Sequence, residues 1–422
     1  MRYLYSFVLY LILPFILLRL LWRSRHNKQY RKRILERLGV FSIKPEWQQG
    51  LWIHAVSLGE VIAATPLIKA IRLHYPTLPI TLTTMTITGS ARVTATFGND
   101  IFHVYVPYDI PCFLKRFLKR VKPKALIILE TELWPNMLAL CKAQQIPIML
   151  SNARLSERSF LGYQRIARST KKMLSAITVL AAHAHADGQR FLQLGLDPAH
   201  LFVTGSIKFD VTVPASIMEQ AQVLRNMLGH DRYVWVVAST HDGEEEKILQ
   251  TFKQVLLSVP NLLLLLVPRH PERFHKITEL CRHEGYHVVT RTSQQPCSTL
   301  TQIFIGDTIG ELKLFYAASD LAFVGGSLVP IGGHNILEPA SLGIPTITGP
   351  YMFNFTEITE LLLAEQALIQ VQNNIELATA VISLLGDSTL RADMSERAHQ
   401  TLEKNKGALE KTMRLLEEKI LN

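Results

Sequence analysis

From residue 51 onward, short apolar runs rich in aliphatic and β-branched residues alternate with longer stretches whose apolar positions recur every three or four residues. The runs predict strands beginning near Leu51, Ile80, Val104, Ala125, Ile148, Ile177 and Leu201, and again near Val234, Leu262, His287, Ile303, Leu321 and Thr346. Alternation of this kind implies parallel sheets covered by helices on both faces. The two series meet across residues 211–218, where Val213-Pro214 reads as a linker. A chain of 422 residues also exceeds the ~250–300 at which single cores stop growing. The expected plan is two doubly wound α/β domains with a cleft between them, and ligands beyond the carboxyl ends of the strands. The tail from Ser383 reads as helical and charged, and in proteins of this plan such helices often return to the first domain.

The first 40 residues follow a different pattern. Tyr3 to Leu18 is apolar, interrupted only by Ser6 and Pro14, and Leu20 to Trp22 continue it beyond Arg19. That is borderline for the roughly 17–25 residues of a bilayer span. The basic cluster from Arg19 to Arg37 follows the apolar run, whereas a cleaved signal peptide places its charges before it. The segment is therefore expected to be an anchor, spanning or lying in one leaflet, with its positive flank held against anionic lipid on the cytoplasmic side.

Charge sharpens this picture. The net charge of +10 invites a nucleic-acid reading, but residues 1–40 carry about +8 of it, leaving the rest near +2. No basic surface then belongs to the folded part, and nucleic acid is disfavoured. Four scattered cysteines, Cys112, Cys141, Cys281 and Cys297, without metal-ligand spacing, fit a reducing compartment.

The most informative stretch runs Gly325-Gly326-Ser327-Leu328-Val329-Pro330-Ile331-Gly332-Gly333-His334-Asn335-Ile336-Leu337-Glu338-Pro339. It sets two glycine pairs before an expected helix whose first turn holds an amide and a carboxylate. Glycines let backbone N–H groups approach an anion, a helix N-terminus adds partial positive charge, and a carboxylate one turn in can accept ribose hydroxyls. The spacing fits neither a Walker A loop nor G-x-G-x-x-G, which points to a sugar nucleotide.

Polar residues recur where the predicted strands end. His54-Ala55-Val56-Ser57-Leu58-Gly59-Glu60 puts Glu60 in a first helical turn, where the macrodipole is expected to favour its ionised form and suit it to accept a proton. Glu130-Thr131-Glu132-Leu133-Trp134-Pro135-Asn136 crowds two acids onto one strand end, with Glu130 the functional candidate and Trp134 and Pro135 packing. Lys208 precedes the linker and could neutralise an anionic donor. In the second half, Pro268-Arg269-His270 ends a buried strand, and an arginine there can grip a phosphate. The Ser239 and Thr240 hydroxyls could assist it, and in Gly306-Asp307-Thr308-Ile309-Gly310-Glu311 backbone amides and Glu311 could meet a base or sugar. His241, His270 and His334, taken one by one, read as ordinary residues, and no pair has helical metal spacing. No Asp-x-Asp occurs, so the usual divalent-ion ligands are absent and a transfer without metal or cofactor is expected.

The blocks His54–Glu60, Glu130–Asn136, Pro268–His270 and Gly332–Ala340, in this order and spacing, resemble the 3-deoxy-D-manno-octulosonic acid (Kdo) transferases of lipopolysaccharide synthesis. The resemblance spans essentially the whole chain. It implies a GT-B fold: an anchor and basic collar over residues 1–40, an acceptor-binding domain over 41–212 and a CMP-sugar-binding domain over 213–422. It implies inverting transfer of Kdo from CMP-Kdo to the tetra-acylated lipid A precursor at the cytoplasmic face of the bacterial inner membrane. It further implies Glu60 as general base, Glu130 and Lys208 as transition-state stabilisers, and a CMP site drawn from Pro268, Arg269, Ile309, Gly310, Glu311, Asn335, Ile336, Leu337 and Glu338.

Two rivals use the same plan. A sugar-nucleotide 2-epimerase acts on soluble substrates and needs no apolar N-terminus; a non-catalytic, membrane-anchored nucleotide-binding module needs no pair such as Glu60 and Glu130. Fold alone does not separate the three.

Overall fold

A computed structural model describes residues 2–26, 33–211, 213–214 and 216–421. Contacts divide the chain into two units, Met1–Asp210 with Asn405–Asn422, and Val211–Lys404.

The first unit is built on seven parallel strands: β1 (Leu51–His54), β2 (Ile80–Thr84), β3 (Phe102–Tyr105), β4 (Ala125–Leu129), β5 (Ile148–Ala153), β6 (Val179–Ala182) and β7 (Leu201–Val203), in the order β3-β2-β1-β4-β5-β6-β7. Alternate residues feed opposite faces, as the pleat requires. Leu51, Ile53 and Ile127 pack under the helices Leu58–His74 and Ala408–Leu416, while Trp52, Leu126 and Ile128 pack against Pro111–Val121 and Pro135–Ala143. The last helix is fastened by Asp210, whose carboxylate accepts from the N–H groups of Gly407 and Leu409, both at 2.7 Å.

The second unit repeats the plan with β8 (Val234–Thr240), β9 (Leu263–Pro268), β10 (Val288–Thr290), β11 (Ile303–Ile305), β12 (Leu321–Val324), β13 (Thr346–Thr348) and β14 (Ile369–Gln370), ordered β10-β11-β9-β8-β12-β13-β14. Predicted strand starts fall within two residues of the observed ones. β14 was not anticipated: two residues long and half-buried, it has too short an apolar run to register.

The chain order reverses between β1 and β4 in the first sheet and between β8 and β12 in the second, where β11 is also inserted between β9 and β10. At such a switch the two flanking crossovers leave in opposite directions and open a crevice beyond the strand ends. Glu60 and Glu130 follow β1 and β4, while His241 and Gly325 follow β8 and β12.

The N-terminal helix, Arg2–His26, continues through Pro14. Its stretch Arg2–Leu20 is long and apolar enough to cross a membrane by length and composition. Tyr3, Phe7, Leu11, Phe15, Leu18 and Trp22, one stripe of the helix, are exposed. The opposite stripe of Leu9, Leu13, Ile16, Leu17 and Leu20 packs on Tyr108, Ile110 and Phe113. The expected basic collar needs correction where it can be seen. Arg33 pairs with Glu36 at 2.6 Å and donates to His103 O, and Arg37 is buried, so both belong to the folded body. A 3-10 turn, Ile34–Leu38, carries them inward, and Glu36 accepts from Tyr105 N at the edge of β3. Lys28, Arg31 and Lys32 lie outside the described residues, as do the side chains of Arg23 and Arg25.

Candidate active site

Glu60 is the third residue of helix Leu58–His74 and closes a capping box: Ser57 Oγ accepts from Glu60 N at 3.3 Å, and the Glu60 carboxylate accepts from Ser57 N at 3.2 Å. It also accepts from Val56 N at 2.7 Å. The helix N-terminus was expected to keep this carboxyl ionised, but it lies only 6% exposed and burial outweighs that help. Burial pushes its pKa up to about 7 against those hydrogen bonds, and the charges of Glu132 and Glu130 add to the rise. The result is a carboxylate able to take a proton near neutral pH.

Glu130 follows β4 with φ 58, a left-handed conformation costly for a residue with a side chain. Its Oε1 lies 3.9 Å from the ammonium of Lys208, which a 3-10 turn, Ile207–Phe209, carries after β7. Glu132 accepts from the indole N–H of Trp134 at 2.7 Å, and burial raises its pKa. Trp134 packs edge-on against His54, which is wholly buried and pushed down to about 3. Asn136 is structural: its side chain donates to Asp109 O and to Ser6 Oγ of the N-terminal helix. The sequence did not single out Asn152. It is the next-to-last residue of β5 with φ 54, is buried, and among the described residues has no hydrogen-bond partner for either polar side-chain atom.

In the second unit the loop after β12 departs from the simple cradle. Gly326 N, Ser327 N and Leu328 N donate at 2.7, 3.1 and 2.9 Å to the carboxylate of Glu244, and His241 N joins them. The first glycine pair thus wraps an internal carboxylate rather than an external anion. A Cβ on Gly325 would stand 2.7 Å from Ser239 O, which explains the glycine there. Glu244 sits in the run Glu244-Glu245-Glu246, which looks in sequence like a solvated helix start. Glu245 is equally buried, gripped by Arg273 at 2.6 Å and by Thr240 Oγ1, so that hydroxyl is already committed.

The expected helix after Gly333 is one short turn, Leu337–Ser341, and Asn335 stands before it rather than inside it. Leu342 leaves the helical path and Gly343 follows with φ +69, which ends the turn. Asn335 Oδ1 accepts from Leu337 N at 3.1 Å and its Nδ2 donates to Glu338 Oε1 at 3.3 Å, so the amide and carboxylate form one unit. Ile336 and Leu337 have fully buried side chains and can offer a ligand only their main chain.

Arg269 is exposed at the end of β9, just after buried Pro268. Ile309 is exposed and Gly310 has φ +90 with open space around it. Glu311 is already held by Arg291 at 2.8 and 3.1 Å and by Thr308. The three histidines that look ordinary one by one are brought together. His241 and His334 stack with their Nε2 atoms 2.8 Å apart, and the His270 ring meets His241 edge-on. Burial pushes His334 down to about 3 and, less strongly, lowers His241; Arg269 adds to both effects. The signal for this cluster was positional, since His241 and His270 each follow a central strand.

The fold is similar to that of a glycosyltransferase from Rickettsia africae (TM-score 0.52, 14% identity, covering 89% of this chain and 99% of that one). It is similar as well to the UDP-GlcNAc 2-epimerase of Neisseria meningitidis (TM-score 0.55, 13% identity, 87% and 99%). This likeness defines the fold as GT-B. Sequence then narrows it. The 3-Deoxy-D-manno-octulosonic-acid transferase (kdotransferase) family profile matches residues 32–211. The 3-deoxy-D-manno-octulosonic acid transferase of Haemophilus influenzae is 42% identical over 98% of both chains, and that of Bordetella pertussis 33% over 87% of both. The chain belongs to the Kdo transferase family and is a glycosyltransferase of lipopolysaccharide biosynthesis.

Proposed function

We propose that the enzyme transfers Kdo from CMP-Kdo to the tetra-acylated lipid A precursor, with inversion and without a metal ion. The observation that carries this reading is Glu60: a buried carboxyl near neutral pKa, at the switch point of its sheet, within reach of the charge of Glu130, which itself pairs with Lys208. Glu60 takes the proton of the acceptor hydroxyl, which attacks the anomeric carbon as CMP leaves; a single displacement inverts configuration. Lys208, oriented by Glu130, meets the charge of the Kdo carboxylate. The unit containing Glu60 serves as acceptor domain. In the other unit, Arg269 and the main chain around Pro268, Ile309, Gly310, Ile336 and Leu337 hold CMP, with Asn335, Glu338 and Glu311 at its polar edges. The charge of the leaving phosphate is met by Arg269 and backbone amides.

The exposed apolar stripe of the N-terminal helix supports attachment to a membrane, with the body on the cytoplasmic face of the inner membrane and anionic lipid as a partner. Because its opposite stripe packs on the body from Leu9 to Leu20, an in-plane seating suits it better than a span. Nucleic acid is not among the partners. Mass spectrometry of the product from purified enzyme, CMP-Kdo and lipid acceptor tests the reading. A product heavier by Kdo and formed in excess EDTA supports it; no sugar transfer, or transfer only with added Mg²⁺, refutes it or its metal-free part.

A further inference from the structure

A cavity of about 670 Å³ lies inside the first unit at the foot of the N-terminal helix. Leu9, Ile16 and Leu20 of that helix form its apolar wall, and the segments 85–88 and 108–110 with Trp134 form the other. Arg37 and Arg19 are its cationic groups.

Arg37 is the unusual one. It is only 6% exposed, donates to Met85 O at 2.8 Å and lies 4.3 Å over the Tyr105 ring. Among the described residues no carboxylate stands within ion-pair distance of it. Neighbouring Glu36 is taken by Arg33 and by Tyr105 N. Asp109 shares the cavity, but its two oxygens cap helix Pro135–Ala143 through Asn136 N and Met137 N, and burial pushes it up to about 6. A guanidinium cannot lose its charge, so burying it without a counter-ion is costly unless an anion completes the site.

Charge and shape together select the anion. A planar guanidinium fork matches phosphate, while a wall of leucine and isoleucine offers nothing to a small hydrated ion. A phosphorylated lipid satisfies both, its phosphate on Arg37 and an acyl chain along the helix. The cavity also adjoins the chemistry. Met85 N and Thr86 N donate to Val56 O at 2.9 and 3.2 Å, and the same Val56 donates through its N–H to Glu60.

We propose that this cavity seats the phosphorylated acyl acceptor, with Arg37 binding its phosphate and Arg19 guiding it at the entrance; this rests on the glycosyl-transfer reading above. The test uses the full chain in neutral detergent, with short-chain phosphatidic acid, the matching diacylglycerol and inorganic phosphate as probes. Phosphatidic acid should slow amide exchange at residues 85–88 and 108–110 and bind about tenfold or more tighter than diacylglycerol, the scale of a charge-assisted hydrogen bond. Arg37→Gln should abolish that preference, and Leu20→Trp, which fills the cavity while leaving Arg37, should weaken both lipids. In transfer assays each variant should raise the acceptor KM and leave CMP affinity unchanged. Equal protection by inorganic phosphate, or unchanged lipid preference and acceptor KM in both variants, overturns the proposal. Lipid binding is read without donor, so absence of sugar transfer by the unaltered enzyme would count against the function and not against this seat.

Discussion

Lys208 holds its ammonium 3.9 Å from Glu130 Oε1, joining the end of β7 to the end of β4 across the sheet. The backbone of Glu130 is left-handed there, a conformation kept only where the surroundings over-determine it. The two side chains are therefore expected to act as one unit. Glu130→Gln and Lys208→Met should each lower kcat by about 10-fold or more, and the double variant should lose little beyond the worse single one. Steady-state rates of the three variants measure this; additive losses mean two separate roles.

The pH profile follows from Glu60. Burial pushes its carboxyl from the ordinary 4.5 up to about 7, so turnover should rise with pH and level off above about 7. Glu60→Gln should remove that limb and reduce turnover by about 10²–10⁴ while CMP binding survives. Stability runs the other way. A raised carboxyl pKa contributes fully below 4.5 and is lost as pH climbs through about 7, so Glu60→Gln should gain thermal stability at neutral pH relative to the parent. Thermal melts at pH 5 and pH 8 check the sign.

Glu244 organises the glycine loop from within. Glu244→Ala leaves Gly326 N, Ser327 N and Leu328 N without their acceptor, and buried donors so orphaned cost about 1–3 kcal/mol each. The variant should lose stability and CMP affinity together, read by calorimetry and by titration with CMP. Retained affinity in a fully folded variant would separate the loop from the nucleotide.

Arg269 is exposed and its side chain has no ion-pair partner among the described residues, so its removal should not disturb the fold. Arg269→Ala should weaken CMP by roughly 1.5–3 kcal/mol. Isothermal titration showing unchanged affinity removes it from the site.

Truncation should locate the border of the folded body. A chain beginning at Ile43 loses Glu36 from Tyr105 N and Arg37 from Met85 O, whereas one beginning at Arg33 keeps both. The longer chain should melt roughly 5 °C or more above the shorter. Neither should sediment with liposomes as fully as the intact protein.

The alternation of strand and helix was legible because parallel strands buried on both faces must be continuously apolar, and β8 or β9 admits no other reading. Glu60, Glu130, Lys208 and Arg269 could be picked out as candidates because ligands in such folds sit where strands end, and each stands past one. The apolar helix was equally plain from its first twenty residues. What the sequence could not fix was which charges face which groups. A macrodipole argument uses only position in a helix, whereas the pKa of Glu60 depends on how much protein covers it. The run Glu244-Glu245-Glu246 looks solvated until β12 brings the glycine loop over it, and Arg37 looks like one of a basic cluster until Tyr105 and Met85 close around it. His241, His270 and His334 become a cluster only because β8, β9 and β12 are neighbours in the sheet. Strand order, burial and long-range pairing arise from contacts between distant residues, and periodicity along the chain does not record them.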